Sequence, residues 1–302
     1  MSEQGSAPQV ALRGADISGE RGARAKQMRT LLICHEGADL DGIGLARWLA
    51  SFSELTGIVI LREEKQRMRK RIRREFKRVG VWRFADVLAF RLYYKLFLAS
   101  ADRAWEQKKL AELCDLYKDV DDPATLITHS PNSPEAEQFI RERSPDIIIA
   151  RCKTLLKESI FSLAAHGTFV MHPGICPEYR NAHGCFWALA NDDLERVGMT
   201  LLRIDKGVDT GPVYGYYSYK FAERDESHVR IQHRVVLENL AALKEKLQDI
   251  YEGRAVPLDT TGKASATWGQ PWLSRYLRWK KRARRRAASA AITARALVGR
   301  KG

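Results

Sequence analysis

The segments TLLIC at residues 30–34 and GIVIL at residues 57–61 are the two short apolar runs that decide the predicted fold. Between them, residues 45–49 (LARWL) begin a helical pattern. A strand, a helix and a second strand in this order are typical of a parallel sheet with crossover helices. We therefore predict an α/β fold, with a mainly parallel twisted sheet flanked by helices.

Further apolar runs continue this pattern along the chain. They predict strands at residues 124–128, 146–150, 168–171, 199–204 and 213–217. A single long helix is predicted from about residue 226 to residue 251, where apolar residues recur at helical spacing.

Three regions lie outside this strand–helix pattern: residues 63–113, residues 1–28 and a C-terminal segment. Residues 63–113 combine apolar and basic residues at helical spacing, which predicts a basic insertion of two or three helices broken near Gly80. Residues 1–28 lack apolar periodicity and are predicted to be a disordered leader. We therefore expect one α/β domain at residues 29–255, followed by a basic C-terminal tail at residues 256–302.

The charge of the chain is strongly positive. The 302 residues carry a formal net charge of +14, and 45% of them are hydrophobic, which indicates a globular protein with a plausible polyanionic partner. The excess is concentrated at residues 65–78, with nine positive charges and one negative, and at residues 275–286. Such one-sided charge favours an anionic membrane surface, with nucleic acid as the rival partner. Trp272, Tyr276 and Trp279 in the second segment are of types found at membrane interfaces.

The cysteines and the apolar runs bear on location. The five cysteines are widely spaced and form no Cys-x-x-Cys pair, which favours free thiols over a disulfide framework or a metal site. No apolar run reaches the roughly 18 residues of a membrane span, and no secretory signal is recognisable. The expected location is cytoplasmic, with peripheral membrane contact open.

One histidine and one aspartate are the candidate proton-transfer pair. His172 ends an apolar run, and the following Pro173-Gly174 turns the chain at the carboxyl edge of the sheet, where ligands of α/β proteins bind. Asp209 lies in a glycine-rich turn about forty residues later. Each has a structural alternative, a core histidine and a turn aspartate. Together they suit a carboxylate that orients a general acid/base histidine.

The segment from Asp146 to Pro212 resembles the folate-dependent formyltransferases. The matching elements, in order, are Pro145-Asp146, Leu155-Leu156, Gly167, His172-Pro173, Pro177-x-Tyr179-Arg180, Trp187-Ala188-Leu189, Gly198-x-Thr200 and Asp205-x-Gly207-x-Asp209-x-Gly211-Pro212. The resemblance spans roughly residues 29–255, the basic insertion excepted. It implies formyl transfer from 10-formyltetrahydrofolate to an amine of a small-molecule, sugar or lipid-linked acceptor.

The resemblance also implies roles for individual residues. His172 matches the family's catalytic histidine, and Asp209 matches the aspartate that pairs with it. The backbone near Leu156 and the loop that contains Asp205, Gly207 and Val208 would line the pteridine pocket. Tyr179 and Arg180 belong to a loop bordering the acceptor, and His183 nearby is a candidate substrate contact or a solvated loop residue. The family's glycine after the arginine is replaced by Asn181.

Val170 is the main departure from the family pattern. The family has an asparagine here, whose amide donates a hydrogen bond to the formyl oxygen, and valine cannot donate one. Losing one oxyanion donor costs about 10²–10³ in rate. Three interpretations follow: protonated His172 is the remaining donor, the chemistry or the one-carbon donor is altered, or the fold serves binding alone.

Overall fold

The computed structural model describes residues 27–63, 65–120 and 122–298, without the side chains of residues 64–72, 74 and 293–298. The leader predicted at residues 1–28 lies outside the described residues, apart from its last two. Met28 is buried and its carbonyl accepts a hydrogen bond from the amide of Glu54, so the ordered core begins there.

A seven-stranded sheet forms the centre of the molecule. Its strands are β1 (Arg29–His35), β2 (Glu54–Leu61), β3 (Thr125–Thr128), β4 (Ile147–Ala150), β5 (Gly167–His172), β7 (Met199–Arg203) and β8 (Val213–Tyr217). Two short strands, β6 (Arg180–Asn181) and β9 (Thr267–Trp268), form a separate pair. The order is β3-β2-β1-β4-β5-β7-β8, and β6 pairs with β9. The first five strands of the sheet are parallel, whereas β5–β7 and β7–β8 are antiparallel. The predicted mainly parallel α/β sheet is confirmed.

Helices cover both faces of this sheet. They are α1 (Ala46–Ala50), α2 (Lys65–Phe97), α3 (Ala99–Leu116), α4 (Pro134–Arg143), α5 (Glu158–Phe161), α6 (Gly184–Ala190), α7 (His228–Leu237), α8 (Leu240–Tyr251) and α9 (Leu273–Val298). A π-helical turn at Leu40–Leu45 precedes α1. The apolar residues of β1 alternate between the two faces: Leu32 and Cys34 lie in the larger core cluster, and Leu31 and Ile33 in the smaller one.

The basic insertion consists of α2 and α3. Gly80 interrupts α2 with φ 77° and ψ 172°, a conformation that favours glycine, so the break predicted there is confirmed. The prediction of one helix over residues 226–251 is wrong, because α7 ends at Leu237 and α8 begins at Leu240. The side chain of Asn239 donates to the carbonyls of Val235 and Ser218 at this break.

The segment predicted as a C-terminal tail is an integral part of the fold. Helix α9 packs against α2 and α6, and Tyr276 and Trp279 belong to the same core as β5. Trp279 is fully buried and donates from Nε1 to Glu223 at 2.8 Å. These two aromatic residues are therefore core residues and are not available to a membrane, in contrast to the sequence-based expectation.

Candidate active site

His172 is the last residue of β5, and its imidazole is held by the loop that follows. The side chain is buried, and Nε2 lies 2.9 Å from the carbonyl oxygen of Tyr179. Since a carbonyl only accepts, Nε2 carries the proton in this contact. Gly174 permits this approach, because a Cβ there would lie 2.5 Å from that carbonyl oxygen and 2.8 Å from Nε2. The Pro173-Gly174 turn therefore fixes the imidazole as well as ending the strand.

The side chain of Thr200 on β7 stabilises this turn by two hydrogen bonds. Its hydroxyl donates to the carbonyl of Gly174 at 2.7 Å and accepts from the amide of Cys176 at 2.9 Å. The residue is fully buried, and Tyr216 adds a hydrogen bond from its hydroxyl to the carbonyl of Cys176. The chain beyond His172 is thus tied to both antiparallel strands of the sheet.

Asp209 reaches His172 from the loop between β7 and β8. Its Oδ2 lies 3.5 Å from Nδ1 of His172 and accepts a hydrogen bond from the amide of Asn181 at 2.7 Å. Asp205 organises the same loop, because its Oδ1 accepts from the amide of Gly207 and from the hydroxyl of Thr210. The structure thus brings together the histidine and the aspartate that the spacing singled out.

This arrangement can bind and release a proton at one defined atom. With Nε2–H committed to Tyr179, the neutral ring presents the lone pair of Nδ1 toward Asp209. A proton taken up at Nδ1 faces a carboxylate in a site where both side chains are largely shielded from water, so the attraction is stronger than at the surface. The pair has the geometry of an oriented general acid/base.

Tyr179 and Arg180 flank this pair, but through different atoms. Tyr179 contacts His172 by its carbonyl, while its phenol donates to Asp193 at 2.8 Å and its ring stacks on Trp268. Arg180 donates from Nη1 to the carbonyl of Val208 at 3.2 Å. Arg180 therefore joins the loop after His172 to the loop that carries Asp209, and the acceptor-contact role of both residues stays a prediction.

His183 precedes α6 and lies in a cluster of rings rather than beside Asp209. Its Nδ1 is 3.3 Å from Nε2 of Gln232, and its ring centroid is 5.9 Å from that of His228. Burial, followed by the positive charges of Lys153 and Arg91, lowers the pKa of His183 to about 4. His183 is therefore neutral near pH 7, and its contact with a substrate stays a prediction.

The backbone of Leu156 is positioned by a residue that the sequence patterns did not single out. Asn132 donates from Nδ2 to the carbonyl of Leu155 at 2.9 Å and accepts from the amide of Lys157 at 2.7 Å. The side chain of Leu156 is buried, and within the described part of the chain its own amide and carbonyl make no hydrogen bond. Asn132 thereby holds the peptide groups on both sides of Leu156 in place.

The sequence patterns also did not identify Arg151 as a site residue, although its position directly after a strand could have indicated it. It directly follows β4, and Asp41 lies in the π-helical turn after β1; segments after parallel strands meet at one edge of the sheet. Arg151 donates from Nε to Asp41 at 3.0 Å and from Nη1 to the carbonyl of Met171 at 2.6 Å. This partly buried ion pair stabilises the strand end that carries His172.

Val170 offers no replacement for the missing donor. Its half-buried side chain packs in an apolar cluster with Cys176, Leu202, Val213 and Tyr216. At the end of β5, His172 is therefore the side chain that can donate a proton. Its Nε2–H is already donated to Tyr179, so a hydrogen bond from His172 to another group would have to come from a protonated Nδ1, which faces Asp209.

The fold and this site define an α/β protein with an oriented His–Asp pair at the carboxyl edge of its sheet. The formyl transferase family model matches residues 98–247, and these residues form a domain of that family, whose members are transferases.

Individual relatives agree with this assignment over part of their length. A methionyl-tRNA formyltransferase from Caldanaerobacter subterraneus subsp. tengcongensis is 33% identical over 129 residues, covering 42% of this chain and 40% of that protein. The chain thus matches less than half the length of this curated relative.

Solved structures resemble the chain at lower identity. A sugar N-formyltransferase from a Shewanella species has a TM-score of 0.46 at 13% identity, over 80% of this chain and 76% of its own. A phosphoribosylglycinamide formyltransferase from Anaplasma phagocytophilum has a TM-score of 0.47 at 12% identity, over 82% of this chain and all of its own.

Proposed function

We propose that this protein transfers a formyl group from 10-formyltetrahydrofolate to an amine carried by a small molecule, a sugar or a lipid. The observation that carries the proposal is the 3.5 Å approach of Nδ1 of His172 to Oδ2 of Asp209 within a formyl transferase domain. The donor supplies an activated formyl group: the amine nitrogen forms a bond to the formyl carbon, the bond from that carbon to N10 breaks, and the proton lost by the amine ends on N10.

In this reaction His172 and Asp209 handle the proton of the attacking amine. Nδ1 of His172 accepts it, and the carboxylate of Asp209 stabilises the imidazolium that results. The hydrogen bond to the carbonyl of Tyr179 keeps the ring from rotating while its charge changes. Positioned acid/base groups of this kind contribute about 10²–10⁴ in rate.

The groups proposed to hold the pteridine ring are the backbone of Leu156 and the loop that carries Asp209. Asn132 bonds the carbonyl of Leu155 and the amide of Lys157, and the amide and carbonyl of Leu156 between them would pair with the donors and acceptors of the ring. The carboxylate of Asp205 closes the loop from Asp205 to Asp209 on itself, and Arg180 fixes the loop through the carbonyl of Val208. In this proposal Leu156, Asp205, Gly207 and Val208 hold the donor, and the backbone of Leu156 supplies polar contacts.

The test is a formyl-transfer assay with 10-formyltetrahydrofolate and three amine classes: glycinamide ribonucleotide, amino-sugar nucleotides and amines on lipid carriers. We expect H172A and D209N to lower turnover at least about 10²-fold. The matched control is H166A, because His166 lies just before the opposite end of β5, with its ring centroid 5.2 Å from that of Tyr251.

The outcomes of this assay distinguish formyl transfer from altered chemistry and from a binding role. Equal loss of activity in all three variants would mean that the fold, and not the pair, had been damaged. Absence of turnover together with tight binding of a folate analogue would identify altered chemistry on the same scaffold. If the protein neither turns over nor binds folate, the proposed function is wrong, and a binding role would take its place.

A further inference from the structure

Helix α2 carries more apolar residues than its contact with the core requires. Beyond Gly80, Val87 and Phe90 face inward, and Phe90 packs against the rings of His228 and Tyr276 at 4.9 and 5.2 Å. This inward face already supplies the apolar stripe of an ordinary surface helix. The remaining apolar side chains of the helix therefore need another explanation.

Those side chains form a line on the outward face of α2, here called the α2 stripe: Val81, Leu88, Leu92 and Leu96. Their exposed fractions are 63%, 47%, 59% and 64%, and spacings of seven, four and four residues place them on one side of the helix. The exposed residue Ala85 fills the gap in the line. At 1.5 Å per residue the stripe is roughly 22 Å long. Isolated exposed leucines are ordinary, but a continuous line of this length marks an interaction surface.

Large aromatic side chains and positive charges border the α2 stripe. Trp82 is 89% exposed and Phe97 67% exposed, while Arg91 and Lys95 lie exposed on the other side of the stripe. The only acidic residue between positions 81 and 97 is Asp86, and it accepts hydrogen bonds from the amide and the hydroxyl of Ser274 at the start of α9. Arg83, Arg91 and Lys95 outnumber this carboxylate, so the segment keeps a net positive charge.

Helix α9 adds a second positive face next to α2. Leu277 on α9 lines a cavity of about 380 Å³ together with Tyr93 and Leu98, which places it beside the C-terminal half of α2. Farther along the same outward face lie Arg278, Lys281 and Arg285, all exposed, and none of the three has an ion pair within the described residues. Other basic residues of α9 are used internally, such as Arg286 with Glu223 and Arg282 with the last carbonyls of α6.

We propose that the α2 stripe, with the basic residues beside it on α2 and α9, docks the protein on an anionic membrane surface. The apolar side chains enter the headgroup boundary, and the lysines and arginines contact anionic lipid phosphates. No helix in the described ranges is long and apolar enough to cross a membrane, so the contact is peripheral.

The combination of positive charge and exposed apolar side chains argues against a second copy of the chain or a nucleic acid as the partner of this surface. A second copy of the chain docked on the same face would bring Arg91, Lys95 and the α9 cations against each other, and like charges repel. The phosphates of a nucleic acid would pair with the basic side chains, but they would leave the apolar α2 stripe exposed to water. A bilayer with anionic headgroups satisfies both the apolar and the charged parts of the surface.

Vesicle flotation with the full chain tests this proposal. The vesicles are phosphatidylcholine alone and a 7:3 mixture of phosphatidylcholine and phosphatidylglycerol, each at low and high salt. Wild type is expected to float with the anionic vesicles, less at high salt. The triple variant L88Q/L92Q/L96Q is expected to lose at least about tenfold in partition coefficient, because three leucines that would enter the headgroup boundary are replaced by polar residues. It should fold, since all three side chains are exposed.

The matched control removes three exposed aliphatic residues from other surfaces, L116Q/V256Q/L258Q. It should float like wild type. Absence of wild-type flotation on anionic vesicles overturns the proposal, as does equal flotation of the α2 stripe variant and wild type. A dimer of wild type that the α2 stripe variant breaks, without vesicle binding, would instead assign the surface to a second copy. Retention on polyanionic RNA without vesicle binding would assign it to nucleic acid.

Discussion

The backbone amide of Asn181 donates a 2.7 Å hydrogen bond to Oδ2 of Asp209, the oxygen that also lies 3.5 Å from Nδ1 of His172. Both residues have a left-handed backbone, with φ 76° at Asn181 and φ 50° at Asp209. Asn and Asp are the non-glycine residues that adopt this conformation most readily. The position of the carboxylate thus depends on two backbone conformations that are favoured by the residue types present.

The left-handed conformation at Asn181 predicts an unusual response to substitution. N181G removes the side-chain hydrogen bond to the carbonyl of Trp268 but relieves the backbone, so the free energy of unfolding should change by less than about 1 kcal/mol. N181A loses the same bond and keeps the strain, so it should be about 1 kcal/mol less stable than N181G. Urea denaturation measures both.

The neighbouring residue provides the control for this prediction. Ala182 has no left-handed backbone, so A182G should destabilise the protein through the greater flexibility of the unfolded chain. An N181A variant as stable as N181G would contradict the argument from backbone strain.

Val170→Asn tests what the missing donor costs. If the reaction is formyl transfer, the new amide should raise the rate of transfer by up to about 10²–10³, the usual value of one oxyanion donor. The same amide lies in an apolar cluster and should lower stability by about 1–3 kcal/mol. Initial rates of formyl transfer and the free energy of unfolding are therefore expected to move in opposite directions.

V213N is the matched control for Val170→Asn. Val213 belongs to the same apolar cluster but lies on β8, away from the end of β5. It should lose stability without any gain in rate. A folded V170N protein with an unchanged rate would favour altered chemistry over ordinary formyl transfer.

The strands were predictable because each is an apolar run ended by turn residues. The run at residues 30–34 became β1 at Arg29–His35, and the histidine predicted at the end of β5 is its last residue. The pairing of His172 with Asp209 was predicted from their spacing, and the structure places the end of β5 and the loop between β7 and β8 at one edge of the sheet. Thr200 and Asn132 were not predictable as supports, because single hydrogen bonds to distant backbone groups leave no periodic signal.

The helices show where apolar periodicity is ambiguous. Trp279 and Tyr276 have the residue types of a membrane interface, yet both are buried in the core. Leu88 and Leu92 belong to the same helical run of apolar residues as Val87 and Phe90, yet they are exposed whereas the other two are buried. An apolar helix face looks the same in the sequence whether its partner is a core, a membrane or another chain, and only the packed structure assigns each face.

The buried histidines predict how stability depends on pH. Burial lowers the pKa of His183 to about 4 and that of His228 well below its usual value. Below about pH 6.5 the unfolded chain binds protons that the folded protein does not, so the free energy of unfolding falls with decreasing pH. Each histidine contributes a slope of up to about 1.4 kcal/mol per pH unit, and for His183 this ends near pH 4.

Denaturation at pH 7, 6 and 5 measures this slope. H183N should reduce it, because the titrating group is removed and asparagine tolerates the left-handed backbone at this position (φ 57°). H129N, which removes an exposed histidine, is the control and should keep the wild-type slope. A slope that H183N leaves unchanged would mean that other groups cause the loss of stability in acid.

The C-terminal helix predicts a large effect of one core substitution. Trp279 is fully buried against Phe186 and Tyr276, and its indole donates to Glu223. W279A should therefore lower the free energy of unfolding by about 3–5 kcal/mol, as large-to-small changes in cores do. R285A on the exposed face of the same helix should change it by less than about 0.5 kcal/mol. If W279A were as mild as R285A, α9 would be a separable tail rather than part of the domain that holds His172.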